Sequence, residues 1–404
     1  MTDQSPFAPP SATRTEALAR LSRFLPHAGR DYAARRNYDL PDAGHPHVSR
    51  LSPYLRHRLI TEEEVLAAVL GRFSLGTAEK FVQEVCWRTY WKGWLEMRPA
   101  VWSAYRRELA EALEGADAGL SARLAAAEAG ETGIDCFDAW AQELVTTGYL
   151  HNHARMWFAS IWIFTLRLPW QAGADFFLRH LLDGDPASNT LGLRWVAGLQ
   201  TRGKHYIARP DNITRYTEGR FSPKGLVTDA APLDGPPPPQ RRAAPVGDTP
   251  RPGSRTGVLL TEDDLSPAFL LDALDGPPVA HAALTSVAGR SPKPVSPLVA
   301  RFTQDAVADA VGRWSGRMGA TGPVTDDVDA IAAWAEAEGL DQVVTAFAPV
   351  GPAGAALVAL DARMARSGRS LVRVLRDWDG AAWPHATHGF FRFKERIPEL
   401  VAGL

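Results

Sequence analysis

The sequence predicts a mainly α chain: an all-helical part, then a proline-rich linker, then a smaller α/β domain. Three observations lead there. Apolar residues recur at helical spacing through the first half, with no alternating strand pattern beside them. In the last third, short strand-like apolar runs alternate with helical patterns. Between the two, residues 223–257 carry Pro236-Pro237-Pro238-Pro239 and almost no large apolar side chain, the composition of an extended linker.

Taken in order, Glu62 to Leu70, Ala78 to Met97, Val101 to Glu114, Phe137 to Thr147 and His153 to Leu168 read as helices separated by Gly or Pro. Beyond the linker, Gly257 to Leu260, Gln342 to Phe347 and Ser370 to Val374 read as strands. Helical patterns at Ala306 to Gly319, Asp327 to Gly339 and Gly354 to Ser367 surround them. A right-handed crossover is expected between the last two strands. Residues 1–30 are read as an N-terminal extension, 31–222 as the helical domain and 258–404 as the small α/β domain.

Length and composition exclude several classes of protein. With 404 residues, 45% hydrophobic and 22% charged, the chain can bury a sizeable core and is not disordered. No apolar run reaches the roughly 18 to 20 residues of a membrane helix, and Met1 to Pro10 has no leader character, so a soluble, cytoplasmic protein with no membrane partner is expected. Cys86 and Cys136 alone cannot build a disulfide framework, a four-thiolate zinc site or an iron–sulfur cluster, which leaves redox chemistry to an organic cofactor. The formal charge of -2 conceals an asymmetry: residues 1–225 hold 27 Lys+Arg against 25 Asp+Glu, leaving 17 and 21 for the rest. A basic patch on the first part is compatible with that sum. Tryptophan is the outlier, and nine of the thirteen fall between Trp87 and Trp195.

Four segments place polar groups where a simple amphipathic helix would not. In Ser49-Arg50-Leu51-Ser52-Pro53-Tyr54-Leu55, two hydroxyls precede a helix, as an N-cap or as donors to a phosphate. In Glu84-Val85-Cys86-Trp87-Arg88, Glu84, Trp87 and Arg88 share a helical face, either as a neutralised pair beside an indole or as an aromatic wall with a polar rim. His151-Asn152-His153-Ala154-Arg155-Met156 opens an apolar helix, so an inward Arg155 needs a partner; no Cys or carboxylate stands nearby at ligand spacing, and no metal is expected. That partner is sought in Asp183-Gly184-Asp185-Pro186-Ala187-Ser188-Asn189, which resembles the start of a calcium loop but lacks the later acidic ligand. A turn aiming two carboxylates and an amide at a buried ligand fits better.

Together, SRLSPYL, EVCWRTYW, GYLHNHARM, LPWQAG and LLDGDPASN followed by RWVAG resemble the flavin-binding domain of the DNA photolyase and cryptochrome family, from about Tyr32 to Phe221. The resemblance implies an all-helical photolyase-type FAD-binding domain with a pocket for a flipped pyrimidine dimer. It places Tyr32, Ser49 and Ser52 at the FAD diphosphate and ribityl region and Arg88 against the flavin. Arg155 and Asp183 become the ion pair beside the ring, Asp185 the carboxylate near N3 and Asn189 the amide at N5. Glu84, Asn152 and Met156 fall in the catalytic pocket, Trp87 and Trp195 stack the substrate, and Trp170 belongs to an electron-transfer chain.

The implied function is blue-light-driven repair of cyclobutane pyrimidine dimers in UV-damaged DNA by electron transfer from reduced FAD, a lyase reaction. The alternatives are a cryptochrome-like photoreceptor with a signalling protein partner, and a flavoprotein without light function. Arg194, Arg202, Lys204 and Arg209 are candidates for phosphate contacts. The sequence departs from the family pattern at Leu193, where a tryptophan next to the flavin is expected; Trp157 and Trp162 offer a detour. It departs again at Arg58, where the pattern has glycine, and at Val48, where it has a hydroxyl residue, changes expected to alter the hold on the diphosphate. The family's α/β antenna domain precedes the flavin domain, whereas here the α/β part follows it, which reads as a permuted order.

Overall fold

The computed structural model describes residues 10–404, so most of the Met1 to Pro10 stretch lies outside the described residues. Helix formation begins inside what was expected to be an extension. Thr13 accepts a hydrogen bond from Glu16 N and caps Arg14–Phe24, whose Ala17, Leu21 and Phe24 are buried in the main core. Spacings of four and three residues put these apolar groups on one face, so the segment is part of the fold.

The expected helices form at Glu62–Leu70, Leu75–Glu96, Ala100–Glu114 and Asp135–Thr147. The first starts at a capping box, Thr61 with Glu64. The reading of one helix from His153 to Leu168 is corrected: Asn152–Ser160 is α-helical, Ile161–Thr165 widens into a π turn, and Arg167 takes a left-handed φ of 52°. Apolar periodicity does not register that wider turn, because Ile161 to Phe164 are all buried. Trp170–His180 and Pro186–Val196 complete the surroundings of the Asp183-Gly184-Asp185 turn.

Beyond the linker, five parallel strands form one sheet: β1 Thr256–Thr261, β2 Ala280–Leu284, β3 Ala320–Thr325, β4 Gln342–Ala346 and β5 Ser370–Val374, in the order β3-β2-β1-β4-β5. β1, β2 and β4 are wholly buried, as parallel strands covered on both faces are. β2 and β3 were not foreseen. The alanine-rich β2 has little strand propensity, and β3, with Gly322 and Pro323, is a half-exposed edge where proline is tolerated. The order reverses between β1 and β4, the place where doubly wound sheets open a crevice.

The two parts share a core. Val258, Leu260, Phe302 and Val344 lie in one apolar cluster with Tyr54, Val85 and Tyr90 of the helical part. Gly93 faces Trp383 so closely that a Cβ would sit 2.9 Å from its Cα, and Trp378 Nε1 donates to Thr89 Oγ1 at 3.0 Å. The linker has no regular secondary structure, as its composition predicts, but it is laid along both parts. Leu233 N donates to Ala197 O, Arg242 N to Met97 O and Asp248 N to Arg373 O, all at 2.8–2.9 Å.

Candidate flavin site

The Asp183-Gly184-Asp185 turn is held from three sides. Arg155 Nη2 donates to Asp183 Oδ2 at 2.9 Å while its Nε donates to Leu150 O, so the half-buried guanidinium has the partner its helix requires. Burial opposes the charge on Asp183, but Arg155 and Arg88 outweigh it and hold this carboxyl below its ordinary range. Asp185 accepts from Ser188 N at 2.7 Å, capping Pro186–Val196, and faces Lys92 Nζ at 4.0 Å. Burial is again overcome, by Lys92, Arg88 and Arg56, and Asp185 is held at about 2. Gly184 is required by close approach: a Cβ there would lie 2.9 Å from Leu181 O and 3.1 Å from Arg290 Nη1.

Around this turn several buried polar atoms have no hydrogen-bond partner: Asp183 Oδ1, Asn189 Nδ2, Arg88 Nη1 and, nearby in sequence to Ser49 and Ser52, Arg50 Nε. A buried donor or acceptor left unmet costs about 1–3 kcal/mol. Donors and acceptors of both signs are needed to complement a heterocycle with N–H, N and carbonyl edges, and this set supplies them. The residues present therefore fit an isoalloxazine ring.

The other predicted residues are placed as follows. Tyr32 is buried against Phe24 and Phe81, beside Arg36 and Glu84. Ser49 Oγ accepts from Leu51 N at 3.3 Å, and Ser52 begins the Ser52–Arg56 helix without capping it, so the N-cap reading of these hydroxyls is corrected. Glu84 pairs with Arg36, which caps the C-terminus of the Arg30–Arg35 helix, rather than with Arg88, so the neutralised-pair reading within one helix is also corrected. Trp87 stacks on Phe390 of the C-terminal segment, with centroids 3.6 Å apart and planes at 11°, and stays partly exposed. One ring face of the expected aromatic wall is thus taken by the protein itself. Trp195 stacks on Tyr206 at 5.9 Å, Asn152 is exposed and Met156 half-buried.

Trp170 is buried beside Tyr105, with the Arg194 guanidinium 5.7 Å from its ring centroid, which removes Arg194 from the free cations while Arg202, Lys204 and Arg209 are exposed. Leu193 is buried, and it and Trp162 both line the space above Gly173. Sequence reasoning missed Arg36, Arg56, Lys92 and Arg290. Of these only Lys92 left a signal, one helical turn after Arg88 on the same face.

Arg58 shows why glycine is the residue of the pattern. Its φ is 48°, a left-handed value that glycine adopts freely and arginine does not. Its guanidinium does not turn toward Ser49 and Ser52. Nε meets Glu62, Nη1 meets Asp264 and Nη2 lies 2.8 Å from both oxygens of Asp379, tying the helical part to the α/β part. Arg58 thus clamps the junction of the two parts.

The family model described as the FAD binding domain of DNA photolyase matches residues 81–225. The deoxyribodipyrimidine photo-lyase of Streptomyces griseus is 34% identical over 201 residues, 46% of this chain and 41% of that protein. The Escherichia coli protein of the same name is 28% identical over 47% of this chain and 40% of its own length. The chain thus spans about two-fifths of these curated relatives. Among solved structures, a class III photolyase from Agrobacterium tumefaciens is 26% identical with a TM-score of 0.43, covering 50% of this chain and 42% of its own. A Synechocystis cryptochrome is 24% identical with a TM-score of 0.41, covering 50% and 43%. No helix among the described residues is long and apolar enough to cross a membrane. Over residues 81–225 the chain is similar to the FAD binding domain of DNA photolyase, whose cofactor is FAD.

Proposed function

We propose that this protein holds FAD between its helices and uses blue light to reverse cyclobutane pyrimidine dimers in UV-damaged DNA. The observation that carries the reading is the convergence of the Arg155–Asp183 pair with the unpartnered Arg88 and Asn189 atoms, inside the stretch similar to a photolyase FAD binding domain. FAD supplies the light-absorbing electron donor. Asp183 and Arg155 fix one another beside the ring, Asn189 offers an amide N–H to it, and Asp185, anchored by its capping bond, presents a charged acceptor to a ring N–H. Ser49 and Ser52, with Tyr32 farther along, serve the ribityl and diphosphate side.

For the substrate, Trp87 and Trp195 provide stacking surfaces worth about 1–3 kcal/mol per base, comparable to the few kcal/mol that flipping costs. Phe390 behind Trp87 fixes the indole plane, so little entropy is lost when a base meets its other face. Glu84, Asn152 and Met156 line the mouth, and Arg202, Lys204 and Arg209 meet phosphates. The α/β part, with its β3-β2-β1-β4-β5 sheet, fits a permuted antenna-type domain.

A photoreceptor role is favoured by one observation, the buried aliphatic Leu193 where the family pattern has an electron-relaying tryptophan. The test uses the purified full chain. Its absorption spectrum is recorded, then a thymine-dimer oligonucleotide is added and irradiated with blue light and reductant. Bound FAD and restored thymines are expected. Absence of FAD overturns the proposal, and a light-induced spectral change with the dimer intact transfers it to the photoreceptor.

A further inference from the structure

The α/β part reaches the flavin cradle through a side chain that the proposed reaction leaves unused. Arg290 closes the short turn Val287–Arg290 that follows β2. Arg106, from the Ala100–Glu114 helix, donates through Nη1 to Gly289 O at 3.1 Å and to Arg290 O at 3.0 Å, which pins the backbone of this turn to the helical part. Packing holds its other side, where a Cβ on Gly289 would lie 3.2 Å from Pro352 Cβ. From that anchored backbone the guanidinium runs inward. Arg290 is 1% exposed, and its Nη1 lies 3.1 Å from where a Cβ on Gly184 would be.

Two guanidiniums therefore stand at Gly184, and they are used differently. Arg56 Nε donates to Gly184 O at 2.8 Å, and its Nη1 is 2.6 Å from Asp263 Oδ1. Nη1 and Nη2 of Arg290 are both buried without a partner. A buried charge that only fastens structure engages its nitrogens, as Arg58 does at the junction. Arg290 is balanced through space instead. Burial and the repulsion of Arg56 push its value down to about 10, with Glu262, Asp263 and Asp185 opposing, so the group stays charged at neutral pH.

The α/β part touches the turn at a second point. Gly351, in the loop after β4, meets Pro186 so closely that a Cβ would sit 2.7 Å from its Cγ. Pro186 begins the helix that Asp185 caps. With Arg290 against Gly184 and Gly351 against Pro186, the residues on either side of Asp185 are both backed by the α/β part, so the carboxylate between them is held in place before a ligand arrives.

We infer that Arg290 is a positioning residue for the flavin cradle: it backs Gly184 so that the Asp183 and Asp185 carboxylates keep their aim, and it sets a permanent positive charge beside them. The inference rests on the reading that FAD occupies the cradle. Reduction adds negative charge to a flavin, so a fixed cation in a water-poor place favours the reduced form. A side chain that served only as packing would leave that balance unmoved.

FAD content after gel filtration and the flavin reduction potential against a reference dye are measured on the full chain and on Arg290→Met, Arg290→Lys and Arg106→Met. Arg290→Met is expected to lower the potential by about 30 mV, a tenfold shift of the two-electron equilibrium, and to lose FAD more readily. Arg290→Lys keeps the charge and is expected to restore the potential. Arg106→Met loosens the turn from outside without removing the buried charge, so it is expected to fold as the wild type does and to shift the potential the same way by less. That variant decides the matter if Arg290→Met does not fold. A potential unmoved in these variants overturns the inference, and so does a loss that lysine fails to recover, since shape rather than charge would then be what Arg290 supplies. A wild type that holds no FAD overturns the inference together with the flavin reading, whereas an unmoved potential in FAD-loaded variants overturns the inference alone.

Discussion

The chain buries charge in two neighbouring regions and treats it in opposite ways. At the junction, all three nitrogens of Arg58 are engaged, and Arg376 grips Asp264 with Nε at 2.5 Å and Nη2 at 2.8 Å. Around the Asp183-Gly184-Asp185 turn, buried atoms are left without a partner: Asp183 Oδ1, Asn189 Nδ2, Arg88 Nη1. A network that engages every nitrogen of its guanidinium is a fastener even with Glu62 Oε1 left unpartnered, because any change in it leaves a charge uncompensated. An incompletely satisfied one carries a standing cost that a ligand can remove. Burial alone does not separate the two; Arg58 has every guanidinium nitrogen engaged, whereas Arg88 keeps Nη1 free.

The largest expected effect breaks the fastener. Arg58→Met leaves Glu62, Asp264 and Asp379 facing one another and is expected to lower unfolding stability by about 3–5 kcal/mol, read by urea denaturation. Arg58→Gly should recover about 1 kcal/mol of that loss, since glycine accepts the 48° φ without strain. A loss below about 1 kcal/mol in Arg58→Met would erase the distinction between the regions.

Asp183→Asn probes the other side of the comparison. It is expected to cost little stability in the FAD-free chain but to weaken FAD retention about 10- to 100-fold, the worth of a hydrogen bond to a charged group. Flavin absorbance of the gel-filtered protein measures it. Equal FAD content in variant and wild type would remove Asp183 from the cradle.

The smallest effect concerns Glu96, at the meeting of the helical part, the linker and the loop after β4. It accepts from Val350 N and from Arg242, yet burial pushes its carboxyl up to about 7. Because its folded value lies above the unfolded one, its contribution is present at low pH and is lost as pH rises from about 4.5 through 7. Glu96→Gln should therefore gain melting temperature relative to wild type between pH 5 and pH 8. A difference that stays constant across that range would show the carboxyl to be ionised throughout.

Legibility followed the range of the forces involved. Arg155 could be assigned a partner from the sequence because a guanidinium in an apolar helix must have one, and the Asp183-Gly184-Asp185 turn offered two carboxylates. Phe390 on Trp87 could not be read, since 303 positions separate two residues that each look like ordinary core.

The sequence by itself determined the helical body, the linker, three strands of the sheet and the candidates for a flavin cradle, because periodicity, proline content and local motifs are written over a few neighbouring residues. The tertiary structure decided which charges are satisfied and which are left open. It turned Arg58 from an odd replacement of glycine into a bolt between two parts, because a buried ion pair depends on what the far end of the chain brings to it.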